Sequence, residues 1–159
     1  MSFQEPPSNL LIVDDDDAVR NLLAMAARSR GWYPSSAADG GEGFEMMDSN
    51  IKAVVLDHGL PDGDGIKAMG GIRAKFPDVP VIMLTGLNDA ETAVRALRAG
   101  ADDYITKPFE LERLFNVIHE ACRVRKQSGG FNSTSVPTSK RPETDGLRRS
   151  RSPKMRELY

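Results

Sequence analysis

Short aliphatic runs alternate with amphipathic stretches along the first 126 residues. Leu10-Leu11-Ile12-Val13 opens the series. Uninterrupted aliphatic runs of this length predict strands buried on both faces, as inside a parallel sheet. Asp17 to about Ser29 follows as a helix, with Val19, Leu22, Leu23, Ala26 and Ala27 on one stripe. Gly31 ends it. Tyr33 to Ala37 predicts a weak second strand. Gly41 to Asp48 predicts a short helix with Phe44 and Met47 inward. Ala53 to Leu56 is the third strand and Gly65 to Phe76 the next helix. Val81-Ile82-Met83-Leu84 is a fourth buried strand ending at Thr85-Gly86. A helix capped by Asn88 or Asp89 runs to Ala99 and stops at Gly100. Asp103 to Thr106 is the fifth strand. A last helix, Phe109 to about Lys126, has Leu111, Leu114, Val117, Ile118 and Ala121 on its apolar face.

Five strands and five helices in strict alternation imply an α/β fold. The sheet is parallel, covered on both faces, with right-handed crossovers. In such sheets ligands gather beyond the carboxyl ends of the strands. Those ends carry polar residues here. The first runs into Asp14-Asp15-Asp16-Asp17, the third into Asp57, the fourth into Thr85 and the fifth into Lys107-Pro108. Parallel strands bring these groups to one edge. Crowded carboxylates repel one another, so a dication is needed to hold them together. Mg²⁺ suits hard oxygen ligands and works through few carboxylates plus a phosphate. Asp57 can serve as a nucleophile toward a phosphoryl donor. Lys107 would act as a point charge on the transferred oxygens, and the Thr85 hydroxyl would donate to one of them.

Plainer roles compete with these. An acidic run is commonly a solvated face, and Asp16 or Asp17 suits the N-cap of the first helix. Thr85 can be a helix cap and Lys107 an exposed loop lysine. Asp62-Gly63-Asp64-Gly65 lacks the ligand spacing of a calcium loop and reads as turn chemistry. The four plain roles together explain less than one shared pocket does. His58 and His119 read as incidental, Cys122 as a core or spare thiol, and Trp32 as cover for the first helix. A cis Lys107–Pro108 bond would aim Lys107 inward.

Composition narrows the class. The chain has 159 residues, 40% hydrophobic and 28% charged, enough for one domain with a real core plus a tail. No apolar run approaches the roughly 18 residues of a membrane span. The first seven residues lack the basic and apolar regions of a secretion signal. A lone cysteine fits a reducing cytoplasm. Residues 1–127 carry 14 basic and 20 acidic side chains, whereas residues 128–159 carry 7 and 3. An acidic body argues against nucleic-acid binding by the body itself.

The motifs Val13-Asp14-Asp15, Asp57-x-x-Leu60-Pro61-x-x-Asp64-Gly65, Thr85-Gly86 and Tyr104-Ile105-Thr106-Lys107-Pro108-Phe109 resemble the receiver domain of bacterial two-component response regulators. The resemblance covers about residues 8–126. It implies a doubly wound, flavodoxin-like sheet of order 2-1-3-4-5. It implies Asp57 as phosphoacceptor from a sensor histidine kinase or phosphotransfer protein. It also implies Mg²⁺ held by Asp14, Asp15, Asp57 and the carbonyl of Gly59, a Thr85/Tyr104 switch pair, and Lys107 as the phosphate-binding lysine. Gly59 and Leu87 lie beside the site in that family and govern water access. Receivers often pair, through the fourth-helix to fifth-helix face or through the first and fifth helices, so a homodimer is a further expectation with its face left open.

The expected organisation is an N-terminal extension at 1–7, a receiver at 8–127, a flexible linker at 128–150 and a further segment at 151–159. Ser150 to Tyr159 resembles the opening of the AAA+ ATPase module of enhancer-binding activators. That resemblance implies a truncated chain whose DNA contacts lie in an absent output domain. Two other functions compete. One is a small haloacid-dehalogenase-like phosphohydrolase, suggested by Asp15-Asp16-Asp17-Ala18-Val19. The other is a stand-alone phosphorelay shuttle.

Overall fold

The computed structural model describes residues 8–63, 65–86 and 90–132, with side chains to Lys126. Residues 1–7, Asp64, Leu87, Asn88, Asp89 and the ATPase-like segment at 151–159 lie outside that description, as does the linker beyond Asn132. Two units are distinguished, Met1–Arg125 and Lys126–Tyr159. The first holds the whole sheet. The described part of the second is helical backbone.

The elements are β1 (Ser8–Val13), α1 (Asp17–Ser29), β2 (Trp32–Ala37), α2 (Gly40–Met46), β3 (Ile51–Asp57), α3 (Gly65–Lys75), β4 (Val81–Thr85), α4 (Ala90–Ala99), β5 (Asp103–Thr106) and α5 (Leu111–Asn132). The five strands are parallel in the order β2-β1-β3-β4-β5. This is the expected doubly wound sheet, with β3 at its centre between β1 and β4.

The continuous aliphatic runs have the anticipated cause. Successive strand residues face opposite sides. Leu10, Ile12, Val55, Ile82 and Leu84 pack with Leu23 and Ala27 of α1 and Leu114 and Ile118 of α5. Leu11, Val13, Val54, Leu56, Val81 and Met83 pack with Met69 and Ile72 of α3 and Ala96 of α4. The inner strands β1, β3 and β4 therefore carry continuous apolar runs that face both sides, whereas the edge strands β2 and β5 do not.

Three expectations are corrected. Leu22 is 49% exposed. Leu23, Ala26 and Ala27, at i, i+3 and i+4, form the buried face and leave Leu22 on its flank. Phe44 is 38% exposed, although Met47 is buried as expected. The reason is a glycine face on α2. A Cβ at Gly43 would stand 2.8 Å from a Val13 methyl, so helix and strand touch there. Phe44 is turned aside, with the Lys75 ammonium 5.8 Å from its ring centre. Finally, α5 starts at Leu111, two residues late, and its backbone continues past Lys126 to Asn132 through Gly129 and Gly130. Once nucleated, a helix adds one hydrogen bond per residue and can run through poor helix formers.

At the edge opposite the strand tips, Asp102 joins three elements. Its Oδ2 accepts from Arg73 of α3 at 3.1 Å and from the Val81 N–H at 2.8 Å, and its Oδ1 accepts from Arg125 of α5 at 2.7 Å. Arg73 also donates to the Gly100 carbonyl at 2.8 Å, and Arg125 to that of Pro77 at 2.9 Å.

Candidate functional site

Asp14 is the first residue beyond β1. Its N–H donates to the Ala37 carbonyl at 3.1 Å, which extends the β1–β2 ladder by one step and fixes the backbone. The side chain is fully buried. Its Oδ1 accepts from the Asp16 N–H at 2.9 Å and its Oδ2 from Lys107 Nζ at 2.9 Å. Asp15 is exposed. Asp16 is the N-cap of α1 and accepts from the N–H groups of Ala18 and Val19 at 2.8 and 3.4 Å. The plain reading of Asp16 therefore holds, and that of Asp14 does not.

Asp57 is the last residue of β3 and is 5% exposed. The His58 N–H donates to the Leu84 carbonyl at 2.7 Å, so the chain stays tied to β4 one residue beyond the strand. The Gly65 N–H closes the loop on the His58 carbonyl, also at 2.7 Å. A Cβ at Gly65 would stand 2.1 Å from the Asp57 carbonyl oxygen, so glycine is required there. The Gly59 N–H donates to the Asp57 carboxylate.

Thr85, 3% exposed, ends β4 beside Thr106 of β5. Its carbonyl accepts from the Lys107 N–H at 2.7 Å. Lys107 thus enters from the end of the ladder, and its peptide bond to Pro108 is cis. Its ammonium lies 3.3 Å from Asp57 Oδ1. Tyr104 is half-buried in register with Met83. It stands on the strand beside Thr85, two residues back from Thr85's own partner, and packs toward the α3–α4 side of the core.

The carboxylates of Asp14, Asp15 and Asp57 each offer an oxygen, and these lie within 4.8 Å of one another. Burial raises Asp57 above the ordinary carboxylate range, and the neighbouring Asp14 adds to the rise. Lys107 and the Gly59 N–H oppose it. Burial alone would lower Lys107, but its contacts with Asp14 and Asp57 outweigh that and hold the ammonium charged. The pocket is thus an excess of buried negative charge against one cation. Such a set of hard oxygens fits a small divalent ion.

One contact beside the site escaped the reading of the sequence. The Asp62 carboxylate reaches out of the β3–α3 loop and accepts from the N–H groups of Gly40 and Gly41 at 3.0 and 2.9 Å. The adjacent glycines were the available signal, but nothing in local pattern links them to an acid 21 residues away.

A model of the response regulator receiver domain matches residues 10–119. The chain belongs to this family. It is 37% identical over 121 residues to a putative NtrX-like response regulator of Rickettsia conorii, covering 74% of this chain and 26% of that protein. The chain thus spans about a quarter of that relative's length. Among solved structures, the CheY-like receiver domain protein of Methanospirillum hungatei JF-1 superposes with a TM-score of 0.74 at 30% identity, covering 78% of this chain and 100% of the other. The beryllofluoride-activated NtrC4 receiver domain dimer superposes with a TM-score of 0.70 at 31% identity, covering 74% and 98%. Receiver domains are signalling domains that bind Mg²⁺ at acidic residues and interact with histidine kinases or phosphotransfer proteins. Among the described residues, no helix is long and apolar enough to cross a membrane.

Proposed function

We propose that Asp57 accepts a phosphoryl group from a sensor histidine kinase or phosphotransfer protein. The supporting observation is the placement of its buried carboxylate, grouped with those of Asp14 and Asp15 and 3.3 Å from the Lys107 ammonium. Asp14, Asp15, Asp57 and the Gly59 carbonyl would hold Mg²⁺, which when bound neutralises charge on the transferred phosphoryl oxygens. The residues do the rest. An Asp57 oxygen forms a bond to phosphorus while the bond from phosphorus to the donor nitrogen breaks, and the electron pair leaves with that nitrogen. Lys107 offers its charge to one phosphoryl oxygen and Thr85 its hydroxyl to another. Burial of Asp57 removes competing water from the nucleophile.

Acylphosphate formation adds about two negative charges. Movement of Thr85 toward them vacates space beside Tyr104, and the Tyr104 ring turns into it. The surface of α4, β5 and α5 then changes its affinity for partners, as a shift between forms already in equilibrium. A homodimer is one such output, and the named NtrC4 dimer supports it. The wider role is the regulatory front end of a cytoplasmic transcription activator, with DNA contacted by an output domain.

The phosphohydrolase reading is disfavoured, because it leaves the buried Asp57 carboxylate and its 3.3 Å contact with Lys107 without a role. Mass spectrometry with acetyl phosphate tests the assignment. One phosphoryl group should appear, require Mg²⁺ and map to Asp57. Undiminished labelling of Asp57→Asn would exclude Asp57 as acceptor, and sustained phosphoester turnover would favour the hydrolase.

A further inference from the structure

The loop from His58 to Gly65 carries Gly59, and its own strand and helix hold its two ends. Asp62 gives it a third anchor on a separate element. Its two oxygens take two successive amides, Oδ1 that of Gly40 at 3.0 Å and Oδ2 that of Gly41 at 2.9 Å. These are the first two N–H groups of α2, which have no partner within the helix. Asp39 serves the next, accepting from the Glu42 N–H at 2.7 Å. Two different acids therefore cap one helix, and only Asp62 belongs to the loop that follows Asp57.

The sequence makes room for this contact. A Cβ at Gly40 would stand 3.0 Å from the Ala68 Cβ and 3.4 Å from Asp62 Oδ1, and one at Gly41 would stand 3.5 Å from Asp62 Oδ2. The two amides hold Asp62 below the ordinary carboxylate range, so it stays ionised and the bonds stay charge-assisted. The neighbouring Leu60 is buried, and the Gly63 N–H turns back on its carbonyl at 3.4 Å. Asp62, Leu60 and Gly59 thus form one short, restrained stretch.

We propose that Asp62 is a positioning residue: by gripping the start of α2 it fixes the β3–α3 loop, and through it the Gly59 side of the cation site. This rests on the reading of the acidic cluster as a Mg²⁺ site. Residues that orient a metal's direct ligands commonly change affinity about ten- to a hundredfold when removed. The full chain is titrated with Mg²⁺ by calorimetry as wild type, Asp62→Ala, Asp62→Asn and Asp39→Ala, with folding checked by circular dichroism.

Asp62→Ala should weaken Mg²⁺ binding about tenfold. Asp62→Asn, which keeps one acceptor oxygen, should fall between it and the wild type, and it carries the test should the alanine variant unfold. At saturating Mg²⁺ the extent of labelling by acetyl phosphate should return to the wild-type level. Asp39→Ala also removes an α2 cap, and should lower thermal stability while leaving Mg²⁺ affinity unchanged. Wild-type affinity in folded Asp62 variants, or an equal loss in Asp39→Ala, would overturn the inference alone. Absence of Mg²⁺ binding by the wild type would overturn the site reading together with it.

Discussion

Lys107 reaches across the tips of β4 and β3 to lie 2.9 Å from Asp14, its neighbour across 93 positions of sequence. The two strands that deliver this pair, β5 and β1, do not touch. The ion pair therefore reports that the whole sheet is assembled in order. It also sets the charge balance of the pocket, because the same ammonium faces Asp57.

Replacing Lys107 with alanine separates its two roles. Removal of a cation leaves three crowded carboxylates, so Mg²⁺ affinity should hold or rise. Labelling of Asp57 by acetyl phosphate at saturating Mg²⁺ should fall at least about tenfold, since the transition-state charge loses a partner. Calorimetry and a labelling time course check both halves. Loss of Mg²⁺ binding in a folded variant contradicts the assignment of Lys107 to the phosphoryl oxygens.

Asp57→Asn should stabilise the metal-free protein near neutral pH. Burial and Asp14 raise Asp57. A carboxylate whose folded value is raised favours the folded state only at low pH. That contribution is lost as pH climbs from its ordinary 3.8 through the raised value. Neutral pH therefore carries a penalty that asparagine removes, on the order of 1 kcal/mol. Thermal melts without metal should show a higher midpoint for the variant at pH 7 and a shrinking difference toward pH 4. Added Mg²⁺ should raise the wild-type midpoint more than the variant's.

Gly65→Ala should destabilise the fold by roughly 3 kcal/mol or more, the scale of a forced steric overlap. The added methyl would meet the Asp57 carbonyl at 2.1 Å. By contrast, Gly59→Ala meets nothing within 4 Å and should leave stability nearly unchanged. Denaturant titration of the two variants checks the contrast.

The phosphorylated form should persist for many minutes. Gly59 has no side chain to orient a water, and Leu87, outside the described residues, has none that hydrogen-bonds. Loss of label from purified protein within seconds would contradict this. The open space at Gly59 allows a converse test. Gly59→Asn supplies an amide beside the site and should shorten the lifetime severalfold.

Cys122 should be a poor nucleophile. Burial pushes its thiol up to about 11 from 9.0. At pH 8 its thiolate population is about a hundredfold below that of an ordinary cysteine, and alkylation by iodoacetamide should slow by a similar factor. Labelling at the rate of a free thiol would show that α5 opens around it.

Much of this architecture was legible because β1, β3 and β4 are aliphatic runs that end on or run into a polar residue. Val54-Val55-Leu56-Asp57 declares both its burial and its chemistry in four letters. The topology then brings Asp14, Asp57, Thr85 and Lys107 together without further information. What escaped prediction depends on pairings that leave no periodic trace. Asp62 looks like any turn aspartate until α2 is set beside its loop. Asp102 precedes a short strand, and nothing nearby in the chain announces Arg73 or Arg125. Phe44 follows the helical pattern, yet the close contact of Gly43 with Val13 decides which side of α2 lies inward.

The Asp102 tie has a mechanical meaning. It bolts α3, the start of β4 and α5 together at one rim, with ionic bonds of 2.7 and 3.1 Å, while the chemistry sits at the far rim. Sliding any of these elements along the sheet would break that fastening, whereas a tilt about it would keep the bonds. With the strands as the lever arm, small shifts around Asp57 are expected to emerge as angular motion of helices, with the core kept.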